Sequence, residues 1–159
     1  MSDHPLLSLI KEADRSISAK DFDGLMRFYA DDAILVVKPG MTAKGKPQIR
    51  KAFEAISAYF QGSLTVRQGK MEVFEGADTA LVIMETFLDT ADGQGLITTT
   101  VRRATYVFRK EPAGAWLCAV DNSYGTDLLD DCSRPQMPDE RLPLGVSGKM
   151  KRQRAQPCF

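Results

Sequence analysis

Helical periodicity marks the first part of the chain. One stripe of apolar side chains recurs every three or four positions and comprises Leu6, Leu7, Ile10, Ala13 and Ile17. Asp21 is a suitable N-cap for a second helix over 22–29, and Pro47 lies in the first turn of a third helix that begins at Lys46. The pattern therefore predicts three helices in the N-terminal part of the chain.

After Gly62 the pattern becomes that of β-strands. Runs rich in β-branched and aromatic residues, separated by turn formers, predict strands at about 63–75, 79–90, 96–111 and 115–125. A short apolar run at 33–37, which Pro39-Gly40 closes, predicts one earlier strand. Helices followed by a sequential antiparallel meander predict an α+β domain with its helices on one face of the sheet.

This pattern ends at about residue 126. We therefore divide the chain into a domain at 1–126 and a largely unstructured tail at 127–159, a stretch with four prolines and few aromatic residues. A basic cluster at 149–154 could contact nucleic acid or anionic lipid. Acidic residues in the same tail nearly balance its charge, which disfavours nucleic acid as a partner.

Composition limits the function further. The formal net charge is zero, with 21 basic and 21 acidic residues, so no overall field steers nucleic acid or a membrane toward the chain. We see no signal-peptide pattern and no apolar run of membrane-spanning length, so a cytoplasmic protein is expected. The single histidine, His4, and three scattered cysteines disfavour a metal site, and no motif indicates a cofactor.

Several sequence blocks carry a resemblance to a known family. They are DFDGL at 21–25, FYADDA at 28–33, Pro39-Gly40 and GKPQIR at 45–50. Together they resemble the opening of ketosteroid isomerase and its relatives, the SnoaL-like polyketide cyclases and the wider nuclear-transport-factor-like superfamily. Trp116 with Asp121-Asn122 resembles the ending of some bacterial members.

The resemblance covers about residues 5–126 and implies a cone-shaped, cystatin-like fold. In that fold a strongly bent sheet and three helices enclose a ligand pocket. The superfamily hosts isomerases, cyclases, hydrolases, dehydratases and binding modules, so the resemblance specifies the fold better than the activity.

The catalytic residues of ketosteroid isomerase are absent from this chain. The resemblance places its base at Lys38, its oxyanion tyrosine at Ala13 and its oxyanion acid at Ala104. None of these side chains can supply that chemistry. Steroid isomerisation by the known residues is therefore not expected.

A different set of polar residues is predicted to share the concave face of the sheet. If the last turn centres near 112–113, antiparallel pairing places Ala104 opposite Asp121 and Arg102 opposite Ser123. Arg102 would then lie diagonal to Asp121, within reach of a charge-assisted hydrogen bond. We take Asp121 and Arg102 as candidate catalytic residues.

Five further residues are candidates for ligand binding. Tyr106 and Ser123 would share the face of Asp121, Glu85 and Phe87 would point inward from the preceding strand, and Lys38 would lie at the pocket rim.

Structural roles remain open for each of these residues. The Arg–Asp pair could only fix strand register, and a slip of one residue would replace Arg102 with Arg103. Asp121-Asn122 could simply terminate a strand. Glu85 could face solvent, Lys38 could be a solvated strand end, and the two aromatic residues could be core.

The leading functional hypothesis is a SnoaL-like protein that binds a small apolar organic molecule. Whether it is an enzyme stays open. If it is, the expected chemistry is cofactor-free isomerisation, cyclisation or lyase-type proton transfer, with Asp121 as acid or base and Arg102 stabilising negative charge. One alternative is a hydrolase similar to limonene epoxide hydrolases, although Ala104 replaces an acid of that family. The other is a non-catalytic binding or assembly module.

A homodimer is also expected, because a bent sheet with helices on one face leaves its other face unburied. The outward residues are predicted to include Val82, Met84, Thr86, Val101 and Val107.

Overall fold

The computed structural model describes residues 4–130. The helices are α1 (Pro5–Ala19), α2 (Phe22–Met26) and α3 (Gly45–Tyr59). The strands are β1 (Tyr29–Lys38), β2 (Met41–Lys44), β3 (Thr65–Gly76), β4 (Thr79–Ala91), β5 (Ile97–Lys110) and β6 (Trp116–Asn122). The predicted α+β class is confirmed, and a 3-10 helix at Gly125–Leu129 crosses the predicted domain boundary. Most of the predicted tail, including its basic cluster, lies outside the described residues.

One six-stranded sheet carries the fold, in the order β2-β1-β6-β5-β4-β3. All neighbours are antiparallel except β1 and β6, which are parallel. Register shifts interrupt the pairing of β1, β3 and β6, and such irregularities bend a sheet. The sheet is therefore curved and does not close.

The concave face of the sheet packs against the helices. The apolar stripe of α1 buries Leu6 and Ile10 completely, and Ile49 of α3 is equally inaccessible. Phe28 makes edge-to-face contacts with Tyr29 and Phe108, with ring centroids 5.0 and 5.5 Å apart. These aromatic rings join the first strand to the core of the sheet.

The region before β1 differs from the sequence prediction. The second helix ends at Met26 rather than 29, and β1 already begins at Tyr29. Asp31 and Asp32 are exposed residues of β1. Their carboxylates pair with Lys46 at 3.3 Å and Arg109 at 3.1 Å.

The prediction for the inward face of β4 is wrong. Val82, Met84 and Thr86 are buried, while Glu85 and Phe87 face the other side of the sheet.

The register of the β4–β5 hairpin explains this difference. The pairing of Ala91 with Ile97 centres the hairpin on Gln94, so even-numbered residues of β4 lie opposite even-numbered residues of β5. The continuous apolar run 80–84 has no alternation that could have revealed this.

A compact turn fixes the end of β6. The Asn122 side-chain oxygen accepts hydrogen bonds from the backbone N–H groups of Tyr124 and Gly125, both at 3.1 Å. Its amide nitrogen donates to Thr105 Oγ1 at 3.2 Å and to the Gly125 carbonyl at 3.1 Å. Gly125 has φ +56°, and a Cβ there would lie 2.1 Å from the carbonyl oxygen of Arg103.

We predict that Gly125→Ala lowers the free energy of unfolding by at least about 2 kcal/mol, because the left-handed conformation and the close carbonyl both oppose a side chain. Gly76→Ala is the matched control, since a Cβ at Gly76 meets open space. Urea denaturation measures both variants. An equal effect of the two substitutions would contradict the packing of this turn.

The homodimer remains a prediction. Because the face of β4 is reversed, the residues that are expected at its interface are those of the observed outer face. That face exposes large apolar side chains: Phe74, Leu81, Ile83, Ile97 and Val101. Ile83→Lys should convert a dimer to a monomer, whereas Ala58→Lys on the exposed side of α3 should not. Light scattering over a concentration series tests this, and a wild-type monomer at micromolar concentration would refute the prediction.

Candidate functional site

Two carboxyl groups are buried between α1 and the concave face of the sheet. Asp121 of β6 is 6% exposed and Asp14 of α1 is 9% exposed. Neither carboxyl pairs with a cation within residues 4–130. Buried carboxylates normally have such a partner. The pair is therefore the first feature to consider as a site.

Asp121 accepts a hydrogen bond from the hydroxyl of Tyr29 on the neighbouring strand, at 2.6 Å. Burial raises the pKa of Asp121 to about 6, and the Tyr29 hydrogen bond opposes that rise. Burial and the adjacent Asp121 charge raise the pKa of Tyr29 well above its usual value. Tyr29 thus remains a hydrogen-bond donor across the physiological range.

Asp14 accepts a hydrogen bond from the side-chain amide of Gln68 on β3. Burial raises its pKa to about 7, the Gln68 hydrogen bond lowers it, and the charge of Asp121 raises it further. Sequence reasoning missed Asp14. One available clue was its place in the apolar stripe of α1, four residues after Ile10 and three before Ile17.

Tyr106 is a buried tyrosine whose pKa responds to the charges of both acids. It is buried directly across from Asp121 in the β5–β6 ladder. Burial, and then the charges of Asp121 and Asp14, raise its pKa well above the ordinary tyrosine value. The Thr86 hydroxyl is close enough to lower that pKa slightly, but it makes no hydrogen bond of good geometry. Tyr106 therefore keeps its hydroxyl proton near neutral pH.

The predicted contact between Arg102 and Asp121 is wrong, although both the face of Asp121 and that of Tyr106 are right. The pairing of Lys110 with Trp116 centres the turn on Ala113, slightly later than the predicted centre between 112 and 113. In addition, Ala119 is an extra residue of β6 that the prediction did not include. These two changes shift the partner of Asp121 by two residues, from Ala104 to Tyr106, without changing its face.

Arg102 instead stacks on Tyr124, with its Cζ atom 4.0 Å from the ring centroid. Its Nε atom is buried and has no hydrogen-bond partner in the described part of the chain. The guanidinium group is thus held by its flat face, and one donor is left free.

The other predicted ligand-binding residues do not join the acids. Glu85 lies across from Arg103 on the outer face, and the Arg67 guanidinium lies over the Phe87 ring, 5.1 Å from its centroid. Ser123 is half-buried in the turn after β6, and Lys38 is exposed at the end of β1. A role in ligand binding stays a prediction for these residues.

A groove of about 660 Å³ between α1 and β3 reaches Asp14 from outside. Its lining residues are Lys11, Asp14, Arg15, Ser18, Ala19, Val66, Arg67 and Gln68. Arg67 is paired with Asp89 at 2.6 Å, while Lys11 and Arg15 are exposed. Asp14 is therefore the member of the acid pair that a molecule in this groove would meet.

Two observations on the described part of the chain complete the site. No group of three or more histidine, cysteine, aspartate or glutamate side chains in residues 4–130 is arranged to hold a metal ion. None of the helices in that range is long and apolar enough to span a membrane.

Solved structures with low sequence identity share the fold. An NTF2-like protein with a cystatin-like fold from Novosphingobium aromaticivorans has 19% identity and a TM-score of 0.65, and the match covers 78% of this chain and 86% of that one. Aln2 from a Streptomyces species has 16% identity and a TM-score of 0.69, with 81% and 97% covered. ActVI-ORFA from Streptomyces coelicolor has 14% identity and a TM-score of 0.64, with 73% and 91% covered.

No curated protein matches the sequence. The model of the SnoaL-like domain matches residues 6–118, a range that contains most of α1, the whole of β1 to β5 and both Asp14 and Tyr106. The expected NTF2-like, cystatin-like architecture is thus confirmed. The chain belongs to the SnoaL-like domain family.

Proposed function

We propose that this domain catalyses cofactor-independent proton transfer on a small organic molecule, with Asp14 and Asp121 as its acid/base pair. One observation carries the proposal: two buried carboxyl groups, with pKa values of about 7 and about 6, have no cationic partner among residues 4–130, and one of them borders an open groove. Membership of a SnoaL-like family supports a small-molecule role in general.

The free energy that is needed to bury the two carboxyl groups supports a functional role. A buried carboxylate without a cation destabilises the fold, and a purely structural position would tolerate a neutral side chain better. Paired carboxyl groups with raised pKa values are typical of sites that exchange protons near neutral pH.

The proposed chemistry follows from the protonation states. Near pH 6 to 7 the pair holds about one proton, which resides mainly on Asp14, the weaker of the two acids. In its ionised form Asp14 removes a proton from a carbon beside a substrate carbonyl. The neutral hydroxyl of Tyr106 stabilises the enolate oxygen that forms. Return of the proton to another carbon gives isomerisation, and ring closure or elimination from the same enolate gives a cyclase or lyase.

A non-catalytic binding module is the second candidate. The enclosure of Asp121, which is 6% exposed and already bonded to Tyr29, favours it. Both roles use the same groove, so the two candidates differ in whether Asp14 moves a proton.

Proton exchange tests the catalytic role. The probe is α-deuterium incorporation into 2-tetralone in D₂O, followed by NMR. We expect wild-type exchange to rise with pH and to level off above about pH 7, as Asp14 becomes ionised. Asp14→Asn should slow exchange at least about 100-fold, the usual contribution of a general base. Asp31→Asn, at a side chain that is 98% exposed, is the control and should exchange normally. Equal rates in all three proteins would refute the catalytic role.

Stability gives an independent test of Asp14. Its pKa rises from 3.8 to about 7 on folding, so the folded state retains a proton that the unfolded state has lost over that interval. The free energy of unfolding therefore falls as the pH rises from 4 to 8. Asp14→Asn should remove the part of this dependence that Asp14 causes, leave the part that Asp121 causes, and stabilise the protein at pH 8 by on the order of 3 kcal/mol. Urea denaturation at both pH values measures this, and a less stable variant at pH 8 would indicate a structural acid.

A further inference from the structure

A row of three polar side chains crosses the concave face of the sheet. Gln68 on β3 pairs with Thr86 on β4, and Thr86 pairs with Arg102 on β5. Each carries one buried polar atom without a hydrogen-bond partner: Gln68 Oε1, Thr86 Oγ1 and Arg102 Nε. Within residues 4–130 these are all the buried side-chain nitrogen and oxygen atoms in that condition. They therefore form one feature rather than three scattered defects.

Buried polar atoms without a protein partner are costly, because no protein hydrogen bond offsets their desolvation. Thr86 is the clearest case, since it is only 3% exposed. Gln68 already uses its amide nitrogen on Asp14, and Arg102 is held by its stacking on Tyr124. Both side chains are thus positioned with their free atoms unused.

The chemistry of the free atoms is directional. The Gln68 oxygen can only accept a hydrogen bond, the Arg102 Nε–H can only donate one, and the Thr86 hydroxyl can do either. A single molecule along the row would match them with a hydroxyl at the Gln68 end and a negatively charged oxygen at the Arg102 end. Strands lie about 4.8 Å apart, so the row spans about 10 Å, the scale of a one-ring molecule with two substituents.

We propose that the Gln68–Thr86–Arg102 row is a binding subsite for a hydroxylated organic acid, whose carboxylate accepts from Thr86 and Arg102 while its hydroxyl donates to Gln68. The inference rests on the proposed function only in needing a ligand beside Asp14, and not on proton transfer. The groove between α1 and β3 opens onto the Gln68 end. A polar ligand at this row differs from the apolar substrate that the sequence predicts.

Calorimetric binding of three probes tests the subsite: 4-hydroxybenzoate, its uncharged analogue 4-hydroxybenzamide, and benzoate, which lacks the hydroxyl. We expect 4-hydroxybenzoate to bind about tenfold or more tightly than the amide, the usual range for a hydrogen bond to a charged group, and about threefold or more tightly than benzoate, which lacks only a neutral hydrogen bond. Arg102→Gln should abolish the preference over the amide. Arg103→Gln is the matched control, because Arg103 lies on the outer face across from Glu85.

Thr86→Val separates binding from folding. It replaces the unpartnered hydroxyl with a methyl group of the same shape, so the melting temperature should rise while 4-hydroxybenzoate binds about tenfold more weakly. A lower melting temperature would show that the hydroxyl stabilises the fold. No binding of 4-hydroxybenzoate in the millimolar range, or equal losses in Arg102→Gln and Arg103→Gln, would also overturn the proposal.

The outcomes distinguish this inference from the proposed function. Asp14→Asn should keep the preference for 4-hydroxybenzoate over the amide, because the row does not require the Asp14 charge. Normal exchange of 2-tetralone without an Arg102-dependent preference would overturn the subsite alone. An intact preference without exchange would overturn the proton-transfer role alone.

Discussion

The hydrogen bond from Tyr29 to Asp121 joins two strands of the sheet and also positions one carboxyl group of the candidate site. It joins residues that are 92 positions apart in sequence, across the parallel pairing of β1 and β6. The β1–β6 ladder is irregular between Tyr29 and Ile34, where the pairing changes from Cys118 to Val120. Tyr29 is fully buried at this irregularity and donates to Asp121. The carboxyl that this arrangement holds inside the protein then raises the pKa of Asp14.

A single extra residue in β6 makes that arrangement compatible with the core. Cys118 and Asp121 are both buried, although residues three apart in a regular strand lie on opposite faces. The bulge at Ala119 removes this conflict, so that Phe108 faces Cys118 and Tyr106 faces Asp121. Along β5 and β6, the apolar pair of Phe108 and Cys118 is therefore followed by the polar pair of Tyr106 and Asp121.

Sequence reasoning reached the elements and part of the site for identifiable physical reasons. The apolar residues of α1 and of α3 recur at helical spacing on the buried side of each helix, so both helices were predictable. The predicted faces of Tyr106 and Asp121 are right because two unpredicted register changes of one residue cancel each other's effect on the face. The face of β4 was not, since an unbroken apolar run fits either side. The parallel neighbour of β6 was also missed, because local patterns contain no information on which distant strand pairs with it.

Asp14 illustrates a different limit of sequence reasoning. From the sequence, Asp14 is only an acidic residue within the apolar stripe of α1. Its hydrogen bond with Gln68 and its proximity to Asp121 become visible only in three dimensions. The same holds for the row of Gln68, Thr86 and Arg102, whose members come from three strands. Each departs from the expectation that buried positions are apolar or fully hydrogen-bonded. Such departures indicate a candidate site when they adjoin, and Gln68 connects them here because it belongs to the row and also binds Asp14. The acid pair and the polar row are thus two parts of one interior surface.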